Sequence, residues 1–386
     1  MARRQDWQLS LVNTVAEHLS NLIRIPSPSS ISNRPIVDYA RRVLHQAQWQ
    51  TREVIYRDAA GIEKVNLIAA PPGQDPYNAA AELALMCHTD TVPYSTDWRR
   101  ALEPFVADGL LHGCGACDVK GFLACLLTSI TGNASSNRTD GLRLILTADE
   151  EIGCVGAAHL LASKSIQPKR VIIGEPTSLR PARAGKGYCL AEITVFGEEA
   201  HSAHPQKGKS AIYRAARFIT AIEEYSSLLA EELHPLFSPG FTTLNIGTIQ
   251  GGTAKNIVPG QCGFQLEWRP IPGQAVGTVP TAVSKIADAL RGEDPDFRYN
   301  LHILRQQTGF ESAANSWLVR SVETLTGRTA TSIPFGSEAS LMATVAEEVI
   351  VFGPGDMQTA HSNRECVPLT ELEEAVNCLQ SLMKKD

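Results

Sequence analysis

His88, Asp118, Glu150, Glu151, Glu175 and His361 are the side chains whose types and positions suit metal chemistry. Divalent ions of the zinc group take imidazole nitrogen and carboxylate oxygen from ligands held on a rigid scaffold. His88 directly follows the apolar run 83–87, and Glu175 follows the run 171–173 after Gly174. Glu150 and Glu151 follow Leu142–Thr147 after Ala148 and Asp149, while His361 comes after the run 349–352, beyond Gly353, Pro354 and Gly355. Asp118 lies in a glycine-rich stretch, 113–121. Taken singly, each has an ordinary reading: a surface histidine, a carboxylate at the start of a helix, a turn residue before Pro176. Their common position past the ends of apolar runs favours the metal reading. Charge counting then favours two ions over one. Three carboxylates (Asp118, Glu151 and Glu175) and one hydroxide nearly balance two divalent cations, whereas a single ion would be over-charged.

The runs that carry these residues read as strands. Segments 65–69, 83–87, 142–147, 171–173 and 349–352 are almost continuously apolar, as in strands buried on both faces, and helical stretches alternate with them. This predicts an α/β catalytic domain with an open, mostly parallel sheet and helices on both faces, its ligands outside the carboxyl ends of the strands. A first helix is expected over 7–25, with Leu11, Val15, Leu19, Leu22 and Ile23 on one face and Pro26 ending it. Between 187 and 304 the pattern changes. Strands 188–196, 244–249, 264–268 and 297–304 alternate apolar and polar residues, and amphipathic helices run through Ile212–Ile222 and Val283–Leu290. That order is an α+β split-βαβ (ferredoxin-like) arrangement. Residues 1–186 and 305–386 are thus expected to form the catalytic domain, and 187–304 an inserted lid and dimerisation domain.

Composition restricts the rest. The chain has 386 residues, 43% of them hydrophobic and 20% charged, and a net charge of −6, without the basic excess of a nucleic-acid binder. No membrane-length apolar stretch occurs, and the basic N-terminus lacks the apolar core of a signal peptide. Nine cysteines scattered through apolar runs suit a reducing cytoplasm, and Cys114 and Cys117, a CxxC without a second pair, read as bystander thiols.

At these residues the sequence resembles the zinc aminoacylase and carboxypeptidase family of metallohydrolases. The resemblance rests on His88-Thr-Asp-Thr-Val-Pro93, Gly113-Cys-Gly-Ala-Cys-Asp-Val-Lys-Gly121, Thr147-Ala-Asp-Glu-Glu151, Gly174-Glu-Pro-Thr177 and Ala360-His361, in order along nearly the whole chain. Stretches 173–187, 243–252 and 353–355 are most similar to the acetylornithine-deacetylase branch. The resemblance implies two divalent ions, zinc by default with cobalt or manganese as alternatives. Asp118 would bridge them, His88 and Glu175 completing one site and Glu151 and His361 the other. It further implies that Asp90 orients His88, and that a cis peptide follows Asp118. Cys114 stands where the family carries a bulkier or basic residue.

With Glu151 on a metal, Glu150 is the expected general base for an activated water and the acid for the leaving amine. The resemblance assigns His201, within Gly197-Glu-Glu-Ala-His-Ser-Ala-His-Pro205, to oxyanion stabilisation from the partner subunit of a homodimer. It assigns Arg269 and Asn256 to the substrate carboxylate, with Lys186 as a further candidate. Glu338, in Phe335-Gly-Ser-Glu338, has no adjacent arginine and is expected to face a terminal ammonium. The expected substrate is a small acylamino acid, acetylornithine first. Acetylcitrulline, succinyl-diaminopimelate, other acylamino acids or dipeptides are the alternatives, and a non-catalytic metabolite-binding relative is a further one.

Overall fold

Leu142–Thr147, Ala80–His88, Gln167–Ile173 and Glu348–Val351 lie side by side in that order, all parallel. Their side chains are buried on both faces over most of their length, which explains runs without alternation. The computed structural model describes residues 14–131 and 140–384. Beyond Leu142–Thr147 the sheet continues through Glu63–Ala70 and Gln50–Arg57, each antiparallel to its neighbour. Beyond Glu348–Val351 it continues antiparallel through Ala182–Gly185. The edge strand Gln50–Arg57 escaped the sequence reading because Arg52, Glu53 and Arg57 break its apolar pattern.

Two groups of helices cover this sheet. Residues 14–23, Arg34–Gln46, Lys120–Thr131, Trp317–Thr326 and Leu369–Leu382 share one apolar core with Leu83, Leu85, Leu144 and Ile172. Val155–Ala162 and Ala339–Met342 pack on each other and on the strands, but contribute nothing to that core. Strand side chains alternate in direction, so the two groups lie on opposite faces. Lys120–Thr131 is buried from Lys120 through Ile130, and its Phe122 ring fills the space beside Gly174, where an added Cβ would come within 2.0 Å of it. The first helix matches expectation over the described residues, with Val15, Leu19, Leu22 and Ile23 fully buried; Trp7 and Leu11 lie outside them.

A second compact unit has its own sheet, ordered Thr243–Gly251, Gln261–Arg269, Tyr188–Phe196, Arg298–Gln307, with every pair antiparallel. Ala211–Leu228 and Thr278–Glu293 bury Phe218, Ile222, Val283 and Ala287 with Ile193, Phe264 and Trp268 in a core of its own. This is the βαββαβ order read from the alternation. By compactness the units divide after Arg183 and after Phe310, with Ser332–Gly336 also in the second unit. The sequence reading set the joints at 186/187 and 304/305. The last strand runs on to Gln307, paired with Tyr188, because its polar end still has a backbone partner.

Candidate active site

Asp118 stands at the centre of a group of ligand-type side chains that is largely buried, with His361 at its exposed side. Its Oδ1 is 3.1 Å from His88 Nε2 and its Oδ2 3.1 Å from His361 Nε2, so each carboxylate oxygen faces a different histidine. Glu175 Oε1 lies 3.8 Å from His88 Nε2, and Glu151 Oε2 lies 3.3 Å from His361 Nε2. Asp118 is followed by a cis peptide to Val119, just before the helix Lys120–Thr131. His88, Glu151 and Glu175 all emerge at or just beyond the carboxyl ends of adjacent parallel strands, as the sequence reading required. Ligand atoms of His88, Asp118 and Glu151, and separately of His88, Glu150 and Glu175, fall within 4.8 Å of one another.

The electrostatics of the group call for cations. Burial pushes the Glu175 carboxyl well above its usual range, and the Asp118 charge adds to the effect. Burial likewise raises Glu151, and raises Glu150 to about 7 with the help of the Glu151 charge. Burial would also raise Asp118, but hydrogen bonds from His361 and His88 hold it below the carboxylate range. Those bonds lift His361 to about 10, and hold His88 above its usual value against burial. Glu151 Oε1 is buried with no hydrogen-bond partner at all. Crowded carboxylates, two imidazoles aimed at one bridging oxygen pair and an orphaned oxygen are a donor set that fits two divalent ions.

Asp90 meets His88 chiefly through its backbone oxygen, 2.9 Å from Nδ1; the Oδ1 of its carboxylate is 3.6 Å away. That carboxylate is occupied elsewhere. Oδ1 accepts from Glu150 N at 3.1 Å, while Oδ2 accepts from Glu151 N at 3.2 Å and Ser29 Oγ at 2.7 Å. Asp90 therefore holds the backbone of the acidic pair as well as the histidine. Glu150 itself is half-buried, and the thiol of Cys154 donates to its Oε1 at 3.2 Å. Just before it, the buried Asp149 accepts from Lys64 Nζ at 2.7 Å and Tyr56 Oη at 2.8 Å. Glu338 is fully buried; it caps nothing on the helix it precedes, and burial and the Glu150 charge raise it to about 8. Thr147 lies alongside, but neither Glu338 oxygen has a hydrogen bond of full geometry.

The remaining candidates belong to the second unit. His201 is exposed, its Nδ1 accepting from Ala203 N at 3.1 Å, and the ribbon Ala200–His201 with Ile257–Val258 sets it beside the exposed Asn256. Lys186 and Arg269 are close enough for the guanidinium to add to burial in lowering the ammonium's pKa. Lys186 Nζ donates to Phe241 O at 2.6 Å. Arg269 donates from Nε to Glu267 Oε1 at 2.8 Å and from Nη1 to Pro334 O at 3.1 Å.

Sequence reading passed over Lys64, Cys154 and Glu365, each of which touches the backbone or side chain of a site residue. A lysine inside a strand and a cysteine in an apolar stretch carry no local signal, and Glu365 lies 247 positions from the amide it binds. Cys114 and Cys117 are free thiols, raised by burial, to about 11 for Cys114, which fits bystanders.

Residues 84–385 match the pattern of peptidase family M20/M25/M40. The chain belongs to this family. It is 42% identical over 355 residues to a Myxococcus xanthus protein named acetylornithine deacetylase, with 92% of each chain covered. Among solved structures, an aminopeptidase of Bacillus cereus superposes with a TM-score of 0.75 at 21% identity, covering 96% of this chain and 98% of that one. A Bacillus subtilis protein described as a dinuclear metal-binding peptidase of family M20 gives 0.68 at 15% identity, covering 97% and 98%. At such identities the likeness speaks for the fold alone.

Proposed function

We propose that this M20 chain is a metal-dependent amidohydrolase that converts N2-acetyl-L-ornithine and water to L-ornithine and acetate, a step of arginine synthesis. The reading is carried by the convergence of His88, Asp118, Glu151, Glu175 and His361 around one bridging carboxylate, with Glu150 beside them. The identity with the Myxococcus xanthus protein supports the choice of substrate. His88, Asp118 and Glu175 would hold one ion, and Asp118, Glu151 and His361 the other. Zinc is the first choice, and cobalt and manganese suit the same nitrogen and oxygen donors. Such ions, when bound, polarise a carbonyl and make a water acidic near neutral pH.

The protein's own groups do the rest. Glu150 takes the proton of the attacking water on its carboxylate and passes it to the leaving amine nitrogen. Its half-buried carboxylate stands beside the ligand group and, with Glu151 assigned to an ion, is left to bind and release that proton. With Nδ1 of His201 accepting from Ala203, a neutral ring carries its proton on Nε2, the donor that an oxyanion needs. Following the resemblance, we assign that donor to the site of a partner copy in a homodimer built through the second unit. Arg269, Asn256 and Lys186 are assigned to the substrate carboxylate, for which Arg269 would exchange its contact with Glu267. Glu338, with both oxygens unpartnered, is assigned to the terminal ammonium of ornithine. Nine free thiols support a reducing compartment, the cytoplasm.

Steady-state kinetics at defined metal stoichiometry test the reading on acetylornithine, acetylcitrulline, acetylmethionine, succinyl-diaminopimelate and dipeptides. Acetylornithine should give the highest kcat/KM, and chelation should abolish turnover. A metal-loaded sample that hydrolyses none of them would remove the reading, and a preference for dipeptides would replace the substrate assignment.

A further inference from the structure

Glu365 is buried, 3% exposed, and the backbone of the Asp118 loop hangs on it. Gly115 N donates to its Oε2 at 3.0 Å, and Cys117 N and Asp118 N both donate to its Oε1 at 3.1 Å. Gly113 N reaches its backbone oxygen at 3.3 Å. Charge-assisted bonds of this kind are about twice as strong as neutral ones, and here one carboxylate collects three. The loop's other backbone bonds, Cys114 N to Ala101 O, Ala116 N to Gly113 O and Lys120 N to Gly115 O, leave the amides of Cys117 and Asp118 to this carboxylate.

The same residue belongs to the loop that carries His361. Glu365 N donates to Ser362 O at 3.1 Å and Ser362 Oγ to Thr359 O at 2.7 Å, so 359–365 is a tight turn with the imidazole and the carboxylate on one short span. The loops then meet a second time, where Asp118 Oδ2 faces His361 Nε2 at 3.1 Å. A closed circuit results: Glu365 holds the Asp118 amide, Asp118 faces His361, and a few residues of chain lead back to Glu365. We infer that Glu365 is a positioning residue for the metal centre, setting the distance between the bridging carboxylate and the His361 ring without touching either ligand atom. The inference rests on the proposed reading that these two ligands bind cations.

A purely structural role would show differently, and Glu371 supplies the control. Its Oε2 accepts from Gly355 N at 2.8 Å, in the same connection as His361 but six residues before it and on no ligand's amide. Glu365→Gln and Glu371→Gln, in the full chain, are stripped of metal and titrated with zinc against a chromogenic chelator, alongside melting of the metal-free forms. Glu365→Gln should bind at least one zinc about 10- to 100-fold more weakly, the range for outer partners of metal ligands. Its turnover of acetylornithine should recover as zinc is raised. Glu371→Gln should keep wild-type zinc affinity. If Glu365→Gln binds both ions as tightly as the wild type, or if Glu371→Gln weakens zinc equally, the inference is overturned. Should Glu365→Gln not fold, Glu365→Asp, which keeps the charge and loses reach, is read by the same criteria. A wild-type chain that takes up no zinc would instead defeat the metal reading beneath it.

Discussion

Cys154 is bound to Glu150 at two points: its backbone N–H donates to the Glu150 carbonyl at 2.9 Å, and its thiol donates to Oε1 at 3.2 Å. Gly153 N donates to the same carbonyl, so the turn folds back on the acidic pair and delivers a sulfur donor to the proposed base. A net hydrogen bond contributes about 0.5–1.5 kcal/mol, which corresponds to about two- to tenfold in rate. Cys154→Ala should therefore lower kcat by about that factor with KM unchanged, and Cys154→Ser, which keeps a donor, should restore most of it. Glu150→Gln, in the same assay, should lose about 10²- to 10⁴-fold. If Cys154→Ala turned over like the wild type while Glu150→Gln was inactive, the thiol would have no part in holding the base.

Beneath the same turn, Lys64 and Asp149 form a buried ion pair at 2.7 Å, each side chain 1% exposed. Lys64 also donates to Ser29 O and Ile31 O, and Ser29 Oγ donates to the Asp90 carboxylate that holds the Glu150 and Glu151 amides. Removing one partner strands the other charge, at a cost of about 3–5 kcal/mol. Lys64→Met should destabilise the fold by that amount in urea unfolding. The double variant Lys64→Met, Asp149→Leu should recover a large part of it. A double variant no more stable than the single one would show that the pair is not the origin of the loss.

How far the sequence disclosed this site depends on the range of each interaction. His88, Glu151 and Glu175 were legible because each follows a continuously apolar run, and such runs become parallel strands whose ends converge. The second unit was legible for the complementary reason, since half-exposed strands such as Tyr188–Phe196 print their alternation in the sequence. Asp90 was marked as a partner of His88 by the family resemblance alone. Its grip on the amides of Glu150 and Glu151 was not legible, since that depends on how Ala80–His88 and Leu142–Thr147 align. Glu365 reaches across most of the chain to bind backbone, and backbone amides have no identity in a sequence.

Glu338 offers a test of substrate choice. A carboxyl that is fully buried with neither oxygen in a full hydrogen bond is costly to keep, and a substrate ammonium would supply what it lacks. Sites that bind a polar group reject analogues lacking it, since their own polar atoms are then left unpaired. Glu338→Gln should lower kcat/KM for acetylornithine by about tenfold or more, with a much smaller change for acetylmethionine. Equal losses on both substrates would mean that Glu338 does not read the side chain.

Removal of metal should expose the charge crowding as a pH dependence of stability. Burial raises Glu150 and Glu365 to about 7 and Glu338 to about 8, and lifts Glu175 well above its usual range, all from an ordinary value of 4.5. Hydrogen bonds to Asp118 and Glu151 raise His361 to about 10; His88 is also raised, the Asp118 bond prevailing over burial. Each of these groups binds its proton more tightly folded than unfolded. Their stabilisation is complete below the unfolded values and is lost as pH climbs through the folded ones. Asp90 and Asp118 are lowered and act in the opposite sense, but only below their ordinary value of 3.8. The chelated protein should therefore melt at progressively lower temperature from about pH 5 to about pH 9. Bound cations take the place of those protons, so zinc should raise Tm more at the alkaline end, and its uptake should release protons. Scanning fluorimetry of stripped and reloaded protein across this range measures both effects. A stripped protein whose Tm stayed level or rose with pH would show that these carboxyls do not carry the excess protons assigned to them.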